Sequence, residues 1–384
     1  MRICHITTVH PAKDARIFYR MCTALAERDH SVSLIAPGLF EDSLVHMSPW
    51  NERIEKAGRA KRFALALRAA LNDKADIFHF HDPELIGLGF LLKLLRPTAA
   101  VVYDVHEDYP AMMLVKYWIP KPLRPLVSWA MGCVDAAAGR YLDGIVTADP
   151  GVLEDFQRVA DKKSIVYYNY PIPSLFASSN AAKADLVYIG GMSDRAGTFV
   201  LLDALTILAQ HGLRPTVRLA GYTDGDQGRA AIRDRIQVLG LSDQVELGGR
   251  MPYSQVPAWI QSGRIGLVTL QPIAKFLKNI PTKMFEYWAC GRPVIASDLA
   301  PIRQFLEDGQ NGLFFNPLSA VDLARAIRHL VESPSLCDVM GKNGQKQVYD
   351  EWNNDRQIAG LVSLYERICR RSVSQVVSSE SISV

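Results

Sequence analysis

The chain has no long apolar run, no paired cysteines and almost no net charge, and each absence removes a class of protein. No stretch of 18 residues is apolar enough to suggest a membrane span. The six cysteines (Cys4, Cys22, Cys133, Cys290, Cys337 and Cys369) are scattered without a Cys-x-x-Cys pair, so neither a zinc site nor a disulfide scaffold is indicated. A reducing interior is the simplest compartment. A net charge of +3 argues against a dedicated nucleic-acid binder. Met1-Arg-Ile-Cys-His-Ile6 runs directly into a strand pattern and lacks the apolar core of a signal peptide. The expected location is therefore cytoplasmic, either soluble or peripheral on the inner face of the plasma membrane.

What is present is enough apolar material for two domains: 384 residues, 48% of them hydrophobic and 22% charged. Short apolar runs alternate with amphipathic stretches, the βαβ rhythm of a doubly wound parallel sheet. Strands are expected at residues 3–8, 31–36, 77–81, 100–105, 144–148 and 164–168, with helices such as 17–28 and 85–95 between them. Around Asn169-Tyr-Pro-Ile-Pro-Ser174 the pattern breaks into a Pro- and Ser-rich stretch that reads as a linker. It then restarts with strands at 184–189, 216–220, 244–247, 265–269 and 294–296 and a helix at 198–211. The expectation is an α/β chain of two Rossmann-like domains facing a cleft. The first spans 1–170, a linker 171–183, the second 184–355, a helix at 356–371 packs back toward the first, and 372–384 form a disordered, Ser-rich tail.

One segment carries more chemistry than any other: Asn279-Ile-Pro-Thr-Lys-Met-Phe-Glu286-Tyr-Trp-Ala-Cys-Gly291-Arg-Pro-Val-Ile-Ala-Ser-Asp298. Pro281 and Thr282 start a helix, with Thr282 as N-cap, so the amides of Lys283 and Met284 lie at the positive end of the helix dipole, where a phosphate can occupy them. Gly291 ends the helix and a short buried strand follows. Glu286, one turn into the helix, can accept hydrogen bonds from the vicinal hydroxyls of a ribose. Helix start plus Glu286 thus suggests a nucleotide, the plainer reading being a capped helix with a solvated Glu286.

These residues resemble the retaining glycosyltransferases of family 4, which have the GT-B architecture. The resemblance spans nearly the whole chain and is most specific over Pro281-Thr-Lys-Met-Phe-Glu286-Tyr and Ala289-Cys-Gly-Arg-Pro-Val-Ile-Ala-Ser-Asp298, supported by Glu307-Asp-Gly-Gln-Asn-Gly-Leu-Phe-Phe315. It implies that this segment binds the diphosphate and ribose of a nucleotide sugar, and that the backbone at Arg250 and Met251, within Val245-Glu-Leu-Gly-Gly-Arg-Met-Pro-Tyr253, passes the base. It also implies that His106, in Asp104-Val-His-Glu-Asp-Tyr109, contacts the donor sugar, although that histidine can equally be structural. Catalytic roles are expected of His106, Lys283 and Glu286. The acceptor side is expected to include His10, Asp14 and Arg16 after the first strand, with Asp82 and Glu107 after later ones.

The chain departs from the family pattern twice. The glutamate usual eight positions before Glu286 is Lys278, which cannot accept hydrogen bonds from a sugar but can pair with a diphosphate or a uronic acid. In Tyr188-Ile-Gly190-Gly191-Met-Ser-Asp-Arg195-Ala-Gly197, the family's Arg and Lys positions hold Gly191 and Ala196, leaving Arg195 one residue away. Arg195, Lys278, Lys283 and Arg16 are the candidates to neutralise the leaving diphosphate.

The family resemblance implies no metal and no cofactor, the nucleotide sugar being a substrate. His79-Phe-His-Asp-Pro-Glu84 groups potential ligands, but Asp82 and Pro83 read as a helix start. Two basic, apolar stretches, 51–71 and 112–129, have the composition of membrane-surface helices, or of helices packed on the domain. The expected activity is metal-independent retaining transfer from a nucleoside-diphosphate sugar to a saccharide or lipid-linked acceptor in surface-polysaccharide assembly, with no nucleic-acid partner. The rivals are a degenerate nucleotide-sugar-binding or partner protein without turnover, and a sugar-nucleotide epimerase.

Overall fold

The structure, a computed structural model, describes residues 1–116, 118–160, 163–177 and 182–380. Its buried aliphatic runs form two all-parallel sheets. The first has seven strands: β1 (Arg2–Ile6), β2 (Ser31–Ile35), β3 (Val45–Met47), β4 (Ile77–Phe80), β5 (Ala100–Val105), β6 (Gly144–Thr147) and β7 (Ser164–Val166), in the order β3-β2-β1-β4-β5-β6-β7. The second has six: β8 (Ala184–Ile189), β9 (Val217–Ala220), β10 (Val245–Leu247), β11 (Gly263–Val268), β12 (Val294–Ser297) and β13 (Gly312–Phe315), in the order β10-β9-β8-β11-β12-β13. The expected α/β architecture of two doubly wound sheets is present. β3 and β13 fall outside the expected strands because both are short edge strands, and β13 opens on a glycine.

The chain divides into two compact units, Tyr170–Asn354 and Met1–Asn169, the latter completed by the chain from Asp355 onward. In the first sheet's unit the helix Asn354–Glu380 sends Ile358, Leu361, Leu364, Tyr365 and Ile368 into a core with Ile3, Val102 and Val146. The reading of 372–384 as a structureless tail is corrected up to Glu380, since no Gly or Pro follows Gly360 in the helix and each added turn costs little once it is nucleated; 381–384 lie outside the described residues. The linker reading of 171–183 is corrected too. Pro173–Phe176 form a helical turn, and Phe176 is buried against Tyr253 with ring centroids 6.3 Å apart; 178–181 lie outside the described residues.

Each sheet reverses its direction of winding once, between β1 and β4 and between β8 and β11. Loops leaving the carboxyl ends of these pairs splay apart, and ligands of doubly wound sheets bind in the resulting crevice. The candidate residues cluster at these two places. At the first, the expected helix over 17–28 begins earlier, as a π-helical Ala15–Thr23 whose amides at Arg16 and Ile17 are capped by Asp14 (2.8 and 3.0 Å).

Candidate active site

In the N-terminal unit, Asp104 is the penultimate residue of β5, the one charged side chain in a wholly buried strand. Burial raises its pKa, but Arg16 and His106 outweigh this and hold it well below the usual carboxylate range. Arg16 grips it with Nε to Oδ2 at 2.8 Å and Nη2 to Oδ1 at 2.6 Å, and spends Nη1 on the Tyr167 carbonyl (2.7 Å) and Asn169 Oδ1 (2.9 Å). Arg16 is therefore corrected as a candidate for the diphosphate: it is buried and engaged as the counter-ion of Asp104. His106 Nε2 meets Asp104 Oδ2 at 2.9 Å. A carboxylate only accepts, so Nε2 carries a proton.

Asp82 occupies the N-cap position before Pro83–Leu85, as expected, but its side chain makes no capping bond. It turns to the loop after β1, where Oδ2 accepts from the Thr8 amide (2.5 Å), the Thr7 hydroxyl (2.8 Å) and the Val9 amide (3.2 Å). His10 lies between Asp14 (Nδ1 to Oδ2, 3.4 Å) and Asp82 (Nε2 to Oδ1, 3.6 Å), and its ring centre is 4.9 Å from that of His106. Burial opposes a charged His10, but the hydrogen bond to Asp14 and the charges of Asp14, Asp82 and Asp104 prevail and raise its pKa. Asp14 is half-buried, yet its bond to His10 keeps it ionised to low pH. His10, Asp14, Asp82 and His106 thus form one partly charged group, with Glu107 half-buried in the next loop position.

In the C-terminal unit the helix runs Thr282–Ala289. Its N-cap is Pro281, with Thr282 the first helical residue, which corrects the expected cap; the Met284 amide donates to the Pro281 carbonyl (3.2 Å), so it too is corrected as a phosphate ligand. The amides of Thr282 and Lys283 remain in the first turn, which has no intrahelical acceptors to offer them. Met284, Phe285, Tyr287 and Trp288 are buried, and so is Glu286. Gly291 adopts φ +67°, ending the helix in the left-handed region that favours glycine.

Lys283 reaches back to the loop after β8. Its Nζ lies 3.7 Å from the centre of the Tyr188 ring, and a Cβ on Gly190 would approach that nitrogen to 3.0 Å. Gly190 itself has φ +133°, so both backbone and space require glycine there. Burial pushes the Lys283 ammonium down to about 7, with Glu286 acting against it. Gly191 accepts from the Tyr188 hydroxyl at 2.5 Å. The loops after β8, β9 and β10 are tied together by Gly190 N to Ala220 O (3.0 Å) and Gly221 N to Gly249 O (3.1 Å), which places Arg250 and Met251 beside the glycine loop.

Two expected cations lie farther out. Arg195 is exposed and faces Asp224 at 3.4 Å, and Lys278 is exposed on a turn where its amide donates to the Lys275 carbonyl. A cavity of about 620 Å³ in the same unit is lined by Leu277, Asp298, Phe314 and Asn316 among others, and Lys283 and Glu286 are not in its wall.

Asp104, His81 and Tyr188 stand inside motifs singled out in the sequence, but their roles do not show there: Asp104 receives Arg16, His106 and His81, and Tyr188 lies under Lys283. For Asp104 the signal was one acid inside Ala100-Val-Val-Tyr-Asp-Val105; for Tyr188 none is visible before the Lys283 contact is known.

Residues 15–170 match the family model described as Glycosyltransferase Family 4, and residues 183–333 the model described as Glycosyl transferases group 1. The lipopolysaccharide core biosynthesis glycosyltransferase LpsE of Rhizobium meliloti (strain 1021) is 22% identical over 373 residues, covering 91% of this chain and 95% of that protein. The alpha-D-kanosaminyltransferase of Streptomyces kanamyceticus is 24% identical over 158 residues, 41% of this chain and 39% of that protein. Among solved structures, Anabaena Alr3699/HepE in complex with UDP and glucose superposes with a TM-score of 0.70 at 17% identity, over 96% of this chain and 100% of that one. Two matching models that together take in most of the chain, on a fold shared with GT-B structures, place the protein in glycosyltransferase family 4.

Proposed function

We propose that this glycosyltransferase moves a sugar from a nucleoside diphosphate to a saccharide, plausibly lipid-linked, in surface-polysaccharide assembly, with retention of configuration and without a metal or cofactor in the transfer step. The observation that carries the donor assignment is the meeting of Gly190, Lys283 and the Thr282–Ala289 helix start at the β8/β11 reversal. A glycine loop allows phosphate oxygens close to backbone, and a helix start with a lysine compensates their charge. Glu286 is assigned the ribose hydroxyls, the backbone of Arg250 and Met251 the base, and Arg195 and Lys278 auxiliary charge on the diphosphate or on a charged sugar. In the N-terminal unit His10, Asp14, Asp82 and Glu107 are assigned to the acceptor, and His106, oriented by Asp104, to the transferred sugar. Retention follows from same-face attack assisted by the departing phosphate, which requires no side-chain nucleophile. The relative named for lipopolysaccharide core biosynthesis, matched over 95% of its length, supports the polysaccharide setting.

A peripheral membrane position is part of the proposal, and it rests on one stretch of the chain. From Tyr109 to Val134 there is no Asp or Glu, while Lys116, Lys121 and Arg124 are interspersed with exposed Leu114, Val115, Trp118, Leu123, Leu126 and Trp129. Arg124 also donates to the Ile119 carbonyl (3.0 Å). The stretch 51–71 supports it less, because more of its cations are used in packing: Arg53 and Arg68 lie over Trp50, and Arg62 donates to the Thr8 carbonyl. Among the described residues no helix is long and apolar enough to cross a membrane.

The test is a panel of UDP-, GDP- and ADP-sugars assayed for nucleotide binding and for transfer to lipid-linked saccharides. Transfer from one donor is expected. Binding without transfer from any donor favours the non-catalytic reading, which Lys278 motivates, and release of free sugar and nucleotide without an acceptor favours the epimerase.

A further inference from the structure

We infer that His5, His79 and His81 form a buried site for a transition-metal ion of the imidazole-preferring class, zinc(II) first among them, built into the β1/β4 pair. The three rings come from two adjacent strands. His79 and His81 point to the same face of β4 and its loop, and His5 of β1 is the register partner of His79. All three are fully buried, with ring centres 4.7 to 5.2 Å apart, and each can present a nitrogen within 4.8 Å of the other two. The motif His79-Phe-His-Asp-Pro-Glu84 does not supply the set alone: Asp82 and Glu84 are engaged by Thr7 and Thr8, and the third nitrogen comes from the neighbouring strand.

Two features point to an ion rather than to ordinary packing. Metal-binding histidines fix their second ring nitrogen on an oxygen, which orients the ring and leaves the first nitrogen as a lone pair. His81 does this with Nδ1 on Asp104 (2.8 Å), and His79 with Nδ1 on the Tyr365 hydroxyl (2.6 Å). The other feature is unmet bonding capacity. His79 Nε2, the nitrogen left after Nδ1 meets Tyr365, is buried without a hydrogen-bond partner, which is costly for any polar atom so placed, whereas His5 would offer the ion its Nδ1 and its unpartnered Nε2 is not part of the set. The trio's one internal contact, a hydrogen bond between His5 Nδ1 and His81 Nε2 at 2.9 Å, would have to lose its proton and open to the separation of about 3.3 Å that two imidazole nitrogens adopt on one tetrahedral zinc, a movement of a few tenths of an ångström. Three neutral nitrogens and no carboxylate in the inner set exclude magnesium and calcium as occupants. The ion would be structural, with a water as the fourth donor of its tetrahedron, one histidine away from Asp104, and the transfer step does not involve it.

The test uses the full chain without a histidine tag, stripped by chelator and titrated with zinc(II) by calorimetry and with cobalt(II) by visible absorption. One ion per chain, a tetrahedral cobalt spectrum and a rise in melting temperature with zinc are expected. His5→Phe and His79→Phe should each abolish binding, Tyr365→Phe should weaken it about 10- to 100-fold, and His106→Ala should retain it. X-ray absorption on the zinc-loaded wild-type protein, which needs no variant to fold, should count three imidazoles. No binding, or binding that survives His5→Phe and His79→Phe, overturns the inference and leaves a bridging water as the occupant. Loss in His106→Ala with retention in His5→Phe overturns it as well, moving the ion to His81, Asp104 and His106.

Discussion

At Lys283 two influences oppose each other: burial against the Tyr188 ring disfavours the ammonium, and Glu286 one helical turn on partly restores it, leaving a pKa of about 7. A diphosphate beside the nitrogen would favour the charged form, so binding should draw a proton from solvent. The sign follows from linkage: affinity should be highest below pH 7 and fall by up to about tenfold per unit above it, until the pKa of the bound state is reached. Calorimetry at pH 8 in buffers of different ionisation heat should show close to one proton taken up, and Lys283→Met should abolish the uptake. Buffer-independent heats in the wild-type protein would remove Lys283 from the phosphate site. Glu286→Ala should weaken nucleotide binding about 10- to 100-fold, the worth of charged hydrogen bonds to two hydroxyls. Unchanged affinity would end the ribose assignment. Both residues stand out as candidates in the sequence because a Pro-Thr helix start, a following lysine and an isolated acid form a local pattern. The buried use of Arg16 was not legible, since its partner Asp104 is 88 positions away and nothing local marks the pair.

Elements are legible from sequence where they are long and buried on both sides, as in β5 and β8, whose ends agree with the apolar runs at 100–105 and 184–189. The edge strands β3 and β13 lack that signal, and the π turn of Ala15–Thr23 depends on a hydrogen-bond shift with no residue code of its own. The joint between the Thr282–Ala289 helix and the second sheet is likewise visible only in three dimensions. The Tyr287 hydroxyl accepts from the Ile189 amide (3.0 Å) and donates to the Leu267 carbonyl (3.2 Å), bridging β8 and β11 below the glycine loop. Its ring fills the space over Gly266, where a Cβ would come within 2.3 Å. Tyr287→Phe should keep the ring and strand a buried amide, costing about 1–3 kcal/mol in urea unfolding of the C-terminal unit. It should also loosen the Gly190 loop, read as weaker nucleotide binding. A variant as stable as the wild type would show that the two bonds to the sheet are dispensable.

At the scale of the whole chain, the N-terminal unit is completed by residues that follow the C-terminal one, so the order of the sequence is not the order of the folded units. Ile358, Leu361, Leu364, Tyr365 and Ile368 are all buried in the first sheet's core. Fully burying each such side chain contributes roughly 1.5–3 kcal/mol, and together they approach the roughly 5–15 kcal/mol that stabilises a typical domain. Ending the chain at Asn354 should therefore unfold the N-terminal unit while sparing the C-terminal one, whose own core of Leu186, Leu219, Leu267 and Ile295 is intact. Thermal melts of the truncated chain should lose one transition, and the remaining one should still move upward with nucleotide. Adding a synthetic 354–380 peptide should restore part of the lost transition, which separates missing packing from general damage. A truncated chain that melts like the full one would mean that the helix sits on a core already complete without it.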